Sequence, residues 1–273
     1  MTWTILVLVL AIALFLFGGM LLKNDGKKPS TGITMAKRAI KLVSVLLIAG
    51  CVCRLFTPYY LTKVNPAILQ EMVTAMQEQQ NAEKNKEVRK YVRNNMDVMI
   101  ADAPIAGNMD AKNTIFLWSD YSCPYCRRVH AELSRVLAER DDVRVVLKNF
   151  SIHGPLSDAP AKAVIAAKLQ GNDKAVALDK MLMDRDYYSQ SDLQNQDKIG
   201  DKIHNNVMKL AKEAGLDVAQ LEKDMEGEVV SRELNNVRDL ASRFEISGTP
   251  YLIIGEQAFP GAIPYEQIIK ALN

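Results

Sequence analysis

Apolar positions along this chain fall into three regimes. From Thr2 to Leu22 (TWTILVLVLAIALFLFGGMLL) no residue is charged. At about 1.5 Å per residue this run spans the ~30 Å hydrocarbon core of a bilayer, and it lacks the polar face that a helix packed on a soluble core would keep in water. A second apolar run, Leu42 to Cys53 (LVSVLLIAGCVC), lies between Lys41 and Arg54. One reading makes it a second span continuing through LFTPYYL, with Arg54 snorkelling and Tyr59 and Tyr60 at the interface. The other makes MAKRAIKLVSVLLIAGC, from Met35, a lipoprotein signal whose lipid would sit on Cys51. The intact run upstream favours two spans within residues 1–64, at 2–22 and about 40–61.

From Asn65 to Ile100 the pattern turns helical and polar. Ile68, Leu69, Met72, Val73 and Met76 share one face, as do Val88, Tyr91, Val92 and Met99, while Gln77–Glu87 is polar throughout. Residues 65–102 therefore read as a helical stalk or an oligomerisation helix, without the sustained heptads of a long coiled coil. DAPIAGNMDAK (102–112) has the composition of a loop. Beyond it the periodicity is that of a globular α/β domain over 103–273. NTIFLWSDY reads as a buried strand, CPYCRRVHAELSRVLAER as a helix and VRVVLKNF as a second strand, together a parallel βαβ unit. Between about residues 157 and 240 the signal is helical, broken at Gly171, Tyr187–Gly200, Gly215 and Gly227. DRDYYSQSD lacks the central Gly and final Glu of a calcium loop and reads as an interhelical connection. PYLIIG, QAFPG and the helix PYEQIIKALN close the chain.

Charge adds orientation. The net charge of +2 points to no nucleic-acid partner. The segment joining the two apolar runs carries Lys23, Lys27, Lys28, Lys37 and Arg38 against Asp25 alone, which holds it in the cytoplasm and sends everything after Tyr60 outside. For a bacterial inner-membrane protein that outside is the periplasm, an oxidising compartment.

In that setting YSCPYCRRVH stands out, because two of only four cysteines, Cys123 and Cys126, are two residues apart. Cys123 follows a strand and caps a helix, where orphan N–H groups and the dipole favour a thiolate. Pro124 suits the first helical turn. Cys126, one turn in, is placed to resolve a mixed disulfide on Cys123. A structural metal would need two more ligands at zinc spacing; His130, His153 and His204 do not supply them, so no metal is expected.

A CxxC at a helix start, a helical insertion and a Gly-Thr-Pro before the last strands together resemble the thioredoxin superfamily, in its DsbA-like branch. The resemblance covers about residues 103–273 and rests on YSCPYCRRVHAEL, KLAKEAGLDVAQLEKDM, SGTPYLIIG and FPGAIPYEQIIKAL. It implies an α/β thioredoxin fold with an inserted helical subdomain and a protein thiol–disulfide oxidoreductase working without a cofactor. Its site would be lined by Pro124, Tyr125, Thr249 and Pro250, with Pro250 cis and facing Cys123. Its partners would be cysteine-containing protein substrates and a membrane redox protein that recharges the pair. The family's buried acid has Asp120 as its candidate here. Pro-Tyr between the cysteines and Thr before the proline are closer to DsbG- and ScsC-like proteins than to DsbA, which places isomerase or reductase work slightly ahead of dithiol oxidation. A potential between the about −120 mV of DsbA and −270 mV of thioredoxin is then expected. The same relatives imply a homo-oligomer through residues 65–100. A DsbA-type oxidase and a redox-idle binding module remain alternatives.

Overall fold

The computed structural model describes residues 2–17, 31–60, 63, 66–194 and 196–273. The chain divides into two compact units, Met1–Asn81 and Ala82–Asn273. In the first, α1 (Thr2–Phe17) and α2 (Thr31–Tyr59) pack on each other, and small residues such as Ala11 and Ser44 are buried. The buried Ser44 hydroxyl donates to the Ile40 carbonyl at 2.8 Å. Among the described residues, Thr34–Tyr59 is long and apolar enough to cross a membrane, and Thr4–Phe17 is a shorter apolar helix. Residues 18–22 of the expected first span, together with Lys23, Asp25, Lys27 and Lys28, lie outside the described residues.

Helix α3 (Pro66–Asn94) exposes Leu69, Met72, Val73 and Met76 in the first unit. Its last turns, from Ala82, belong to the second unit. There Val88 and Val92 are buried, as is Met99 of α4 (Met96–Ile100). Arg89 bonds Glu256 at 3.0 Å and Asn85 accepts from the Ala258 amide at 3.0 Å, so these turns are part of the globular core rather than a free stalk.

The domain is built on a five-stranded sheet of β1 (Ile105–Gly107), β2 (Asn113–Ser119), β3 (Val143–Asn149), β4 (Tyr251–Ile254) and β5 (Gln257–Pro260), in the order β1-β3-β2-β4-β5. Only β2 and β3 are parallel, and α5 (Pro124–Glu139) crosses between them. Strand β1 falls inside the stretch whose composition reads as a loop. Three residues with a Pro before and a Gly at the end carry no periodicity, and pairing with the already formed edge of β3 makes them a strand.

Both sheet faces are covered, which is why the central strands are continuously apolar. Phe116, Trp118, Val146, Tyr251 and Ile253 pack towards α3 and α10 (Glu228–Arg243). Ile115, Leu117, Val145, Leu147, Leu252 and Ile254 pack towards α5 and α11 (Tyr265–Leu272). The insertion is α6 (Pro155–Ala167), α7 (Asn172–Asp184), α8 (Ile199–Glu213) and α9 (Val218–Met225), with a core of its own that includes Leu178, Leu182, Ile203, Val207 and Leu221. Tyr121, Cys123 and Cys126 pack against that core, so the CxxC turn sits where insertion and sheet meet.

Candidate functional site

Strand β2 ends at Ser119 because the chain must turn into α5. The turn Asp120–Ser122 is closed by the Cys123 amide donating to the Asp120 carbonyl at 3.1 Å. Cys123 is the N-cap of α5 in extended geometry, Pro124 is the first helical residue, and the Cys123 carbonyl accepts from the amides of Cys126 and Arg127 at 3.1 and 3.3 Å. Helix entry is thus set by the Pro and by the extended backbone of Cys123.

The peptide Thr249–Pro250, at the start of β4, is cis. The Cys123 thiol donates to the Thr249 carbonyl at 3.4 Å, so the two sequence motifs, 126 residues apart, meet at one sulfur. Both cysteines are free thiols. Cys126 lies deeper and accepts from the Asp120 amide at 3.4 Å. Burial pushes the Cys126 thiol up to about 12, offset in part by that amide and by the Thr249 side chain, and raised further by neighbouring Cys123. Thr249 Oγ1 stands buried beside Cys126, near enough to favour its thiolate but without a well-formed hydrogen bond. Tyr125 is 58 % exposed with the Arg128 guanidinium 5.4 Å from its ring centre, and Pro124 is exposed beside it. Cys123, Cys126, Thr249 and Pro250 are therefore brought together, while Pro124 and Tyr125 form the rim.

The acid candidate, Asp120, has a different part. Its Oδ1 accepts from Ser122 N and Oγ, both at 2.8 Å, and from Ser157 Oγ at 2.7 Å. Its Oδ2 accepts from Ile152 N at 2.8 Å and His153 N at 3.3 Å, and lies 3.0 Å from His153 Nδ1. Burial would raise this carboxyl, but the Ile152 amide, Ser157, Ser122 and His153 outweigh it and hold Asp120 below the usual carboxylate range. It is a fully bonded carboxylate that ties the CxxC turn to the β3–α6 loop and to the first turn of α6. Its own amide is what touches Cys126. The Asp-x-Ser spacing of an Asx turn was the available signal for part of this set; Ile152, His153 and Ser157 were not legible locally.

Under α5 lies a second polar set. His130 Nε2 is 3.1 Å from Ser119 Oγ and its Nδ1 is 3.5 Å from Asp179 Oδ2, on α7 of the insertion. The Tyr121 hydroxyl reaches Asp179 Oδ1 at 2.8 Å and Asn149 Oδ1 at 3.0 Å. One hydroxyl proton cannot serve two oxygens, and Asn149 Nδ2 is otherwise buried without a partner. With that amide turned end for end, Asn149 donates to Tyr121 and Tyr121 donates to Asp179. Among the described residues no cluster of His, Cys, Asp and Glu has the form of a metal site.

Residues 100–273 match the family model described as thioredoxin. The chain belongs to the thioredoxin family. A thioredoxin-like oxidoreductase from Silicibacter pomeroyi DSS-3 is 30% identical and superposes with a TM-score of 0.56, over 65% of this chain and 95% of that one. The fold is shared with the catalytic domain of ScsC from Proteus mirabilis (24% identical, TM-score 0.55, 67% of this chain and 96% of that one). It is shared also with alpha-DsbA2 from Wolbachia pipientis (19% identical, TM-score 0.59, 70% and 97%). Among curated proteins, the chain is 27% identical over 176 residues to Na(+)/H(+) antiporter NhaA 1 of Mycolicibacterium gilvum (strain PYR-GCK), over 62% of this chain and 26% of that protein. The chain thus spans about a quarter of the length of the curated relatives it matches.

Proposed function

We propose that this thioredoxin-family chain exchanges disulfides with cysteine-containing protein substrates through Cys123 and Cys126. One observation carries the reading. The outer sulfur, at a helix N-terminus, meets the backbone carbonyl before a proline, while the inner sulfur is buried and held as a thiol. Ionised Cys123 attacks a substrate disulfide, forming a mixed disulfide and releasing one substrate thiolate. Cys126, once deprotonated, attacks Cys123 Sγ, closing the Cys123–Cys126 disulfide and releasing the second thiolate. Two electrons pass to the substrate, and a membrane redox partner returns the pair to its dithiol. When instead a substrate thiolate attacks the mixed disulfide, the substrate is isomerised with no net transfer.

Isomerisation or reduction is favoured over pure oxidation. Tyr125 brings no positive charge to the Cys123 thiolate, Arg128 lies over the Tyr125 ring, and Arg127 is paired with Asp186 at 3.0 Å. In this reading α2, with or without α1, anchors the chain in the inner membrane, or a lipid on Cys51 does so, and the domain faces the periplasm. The exposed apolar stripe Leu69, Met72, Val73 and Met76 supports oligomerisation through the 65–100 segment. The test is a full-length Cys126→Ala variant in its native membrane. Substrates should accumulate as mixed disulfides on Cys123; a variant that traps none, with Cys123 still alkylatable, would make the domain a redox-idle binding module.

A further inference from the structure

Three of the four arginines of α5 and its C-cap are tied to carboxylates: Arg127 to Asp186 at 3.0 Å, Arg135 to Glu139 at 3.1 Å and Arg140 to Asp142 at 2.7 Å. The fourth, Arg128, is exposed and bonded to no carboxylate among the described residues. Its guanidinium lies over the Tyr125 ring, 5.4 Å from the centroid. Tyr125 is 58% exposed, and among the described residues from Ala82 onwards no large apolar side chain is more so. A ring and a charge thus stand open at the rim of the CxxC turn, unused by the packing of the domain itself.

We infer that Arg128, carried on the Tyr125 ring, is a substrate-binding residue that selects protein disulfides with an acidic residue next to the reacting cysteine. The inference rests on the exchange reading above and names its substrate class. Tyr125 is two residues from the attacking sulfur, in the first turn of α5, and Arg128 is three residues further on, over that ring. The Thr249 carbonyl already occupies one side of the Cys123 sulfur. A chain that brings its own sulfur to Cys123 therefore has its flanking residues at this rim.

The chemistry suits a carboxylate. Guanidinium N–H donors lie in the plane of the group, so a ring against its face takes none of them, and the fork stays open for two parallel bonds to one carboxylate. Stacking on the ring also holds the side chain in place, which lowers the entropy lost when a carboxylate binds. Carboxylates of the turn do not compete, since Asp120 accepts its bonds within the turn and Asp186 is held by Arg127. A Lys or Arg beside the substrate cysteine meets the same guanidinium as a like charge and is disfavoured. Arg128 acts on the encounter that precedes sulfur exchange and adds no covalent step.

The test uses the reduced full chain in detergent micelles and three symmetric peptide disulfides, acetyl-Gly-X-Cys-X-Gly-amide with X as Asp, Asn or Lys. Acid quench and mass spectrometry give the rate at which each peptide consumes the Cys123 thiol. Peptide charge alters disulfide reactivity by itself, so the quantity compared between parent and variant is the Asp-to-Asn and the Lys-to-Asn rate ratio. Arg128→Gln should lower the Asp-to-Asn ratio about two- to fivefold at low ionic strength, the size of one exposed ion pair, and raise the Lys-to-Asn ratio. Both differences should fade near about 1 M salt. Tyr125→Leu, which leaves the charge without its ring, should give an Asp-to-Asn ratio between those of the parent and Arg128→Gln. Ratios in Arg128→Gln equal to the parent's would overturn the inference and leave the exchange reading intact. A Tyr125→Leu ratio equal to the parent's would overturn the part assigned to the ring. A parent that reacts with none of the three peptides, with Cys123 still alkylatable, would overturn both the inference and the exchange reading.

Discussion

Asp120→Asn is the smallest change that separates a bonded carboxylate from a generic buried acid. Every hydrogen bond of the Asp120 carboxylate is one it accepts, and each oxygen faces a backbone N–H: Ser122 N on Oδ1, Ile152 N and His153 N on Oδ2. An Asn amide must turn its NH2 towards one of them. The less costly choice points it at Ser122, because the Ser122 and Ser157 hydroxyls can rotate and accept. One backbone donor is then left unpaired, at about 1–3 kcal/mol, and the remaining bonds lose their charge assistance. A loss of about 2–4 kcal/mol follows, which for a domain of this size is roughly 4–16 °C in Tm. Thermal unfolding of the full chain in micelles, followed by near-ultraviolet circular dichroism, measures it. The sign with pH is fixed as well. The folded Asp120 carboxyl lies below its unfolded value of about 3.9, so its contribution is present above that pH and fades as pH falls through the folded value. The gap between parent and variant should therefore narrow on acidification. His153→Ala removes only one contact, from a ring 46% exposed, and should cost under about 1 kcal/mol. An Asp120→Asn protein that melts with the parent at neutral pH, or a gap that widens in acid, would refute this account of the turn.

Further outcomes follow from the rest of the molecule. Glu233→Gln strands the buried Lys148 ammonium, 2.8 Å from Glu233 and also donating to Asn236 and the Ile100 carbonyl. It should destabilise by about 3–5 kcal/mol in denaturant unfolding, while the joint change Lys148→Met, Glu233→Leu recovers most of that loss. Alkylation of the reduced chain should modify Cys123 well before Cys126 up to high pH, since burial holds the Cys126 thiol at about 12; faster labelling of Cys126 in peptide mapping would reverse the assigned roles. A membrane-impermeant maleimide should label reduced Cys123 in intact spheroplasts, and labelling only after lysis would place the domain in the cytoplasm.

What was legible in the sequence is what acts over one or two turns of chain. The continuous β-branched and aromatic apolar runs of NTIFLWS and VRVVLKN define β2 and β3, and Cys-Pro after a strand defines the start of α5. The three-to-four spacing marks the helices of the insertion to within a few residues at their ends. The thioredoxin family followed from two such motifs in order. Only the tertiary structure decided the rest. Nothing in VRVVLKNF marks Lys148 as a buried charge; its partner Glu233 is 85 residues away on a helix that covers that face. Nothing along α5 sets His130 apart from its neighbours; α7 brings Asp179 to 3.5 Å from its ring. Asp120 could be named as a buried acid, but whether it is a proton store or a bonded carboxylate depends on the Ile152, His153 and Ser157 donors delivered by the next loop. β1 exists only as an edge partner of β3. Periodicity and capping are properties of neighbours along the chain, whereas a buried charge takes its meaning from whichever surface folds over it.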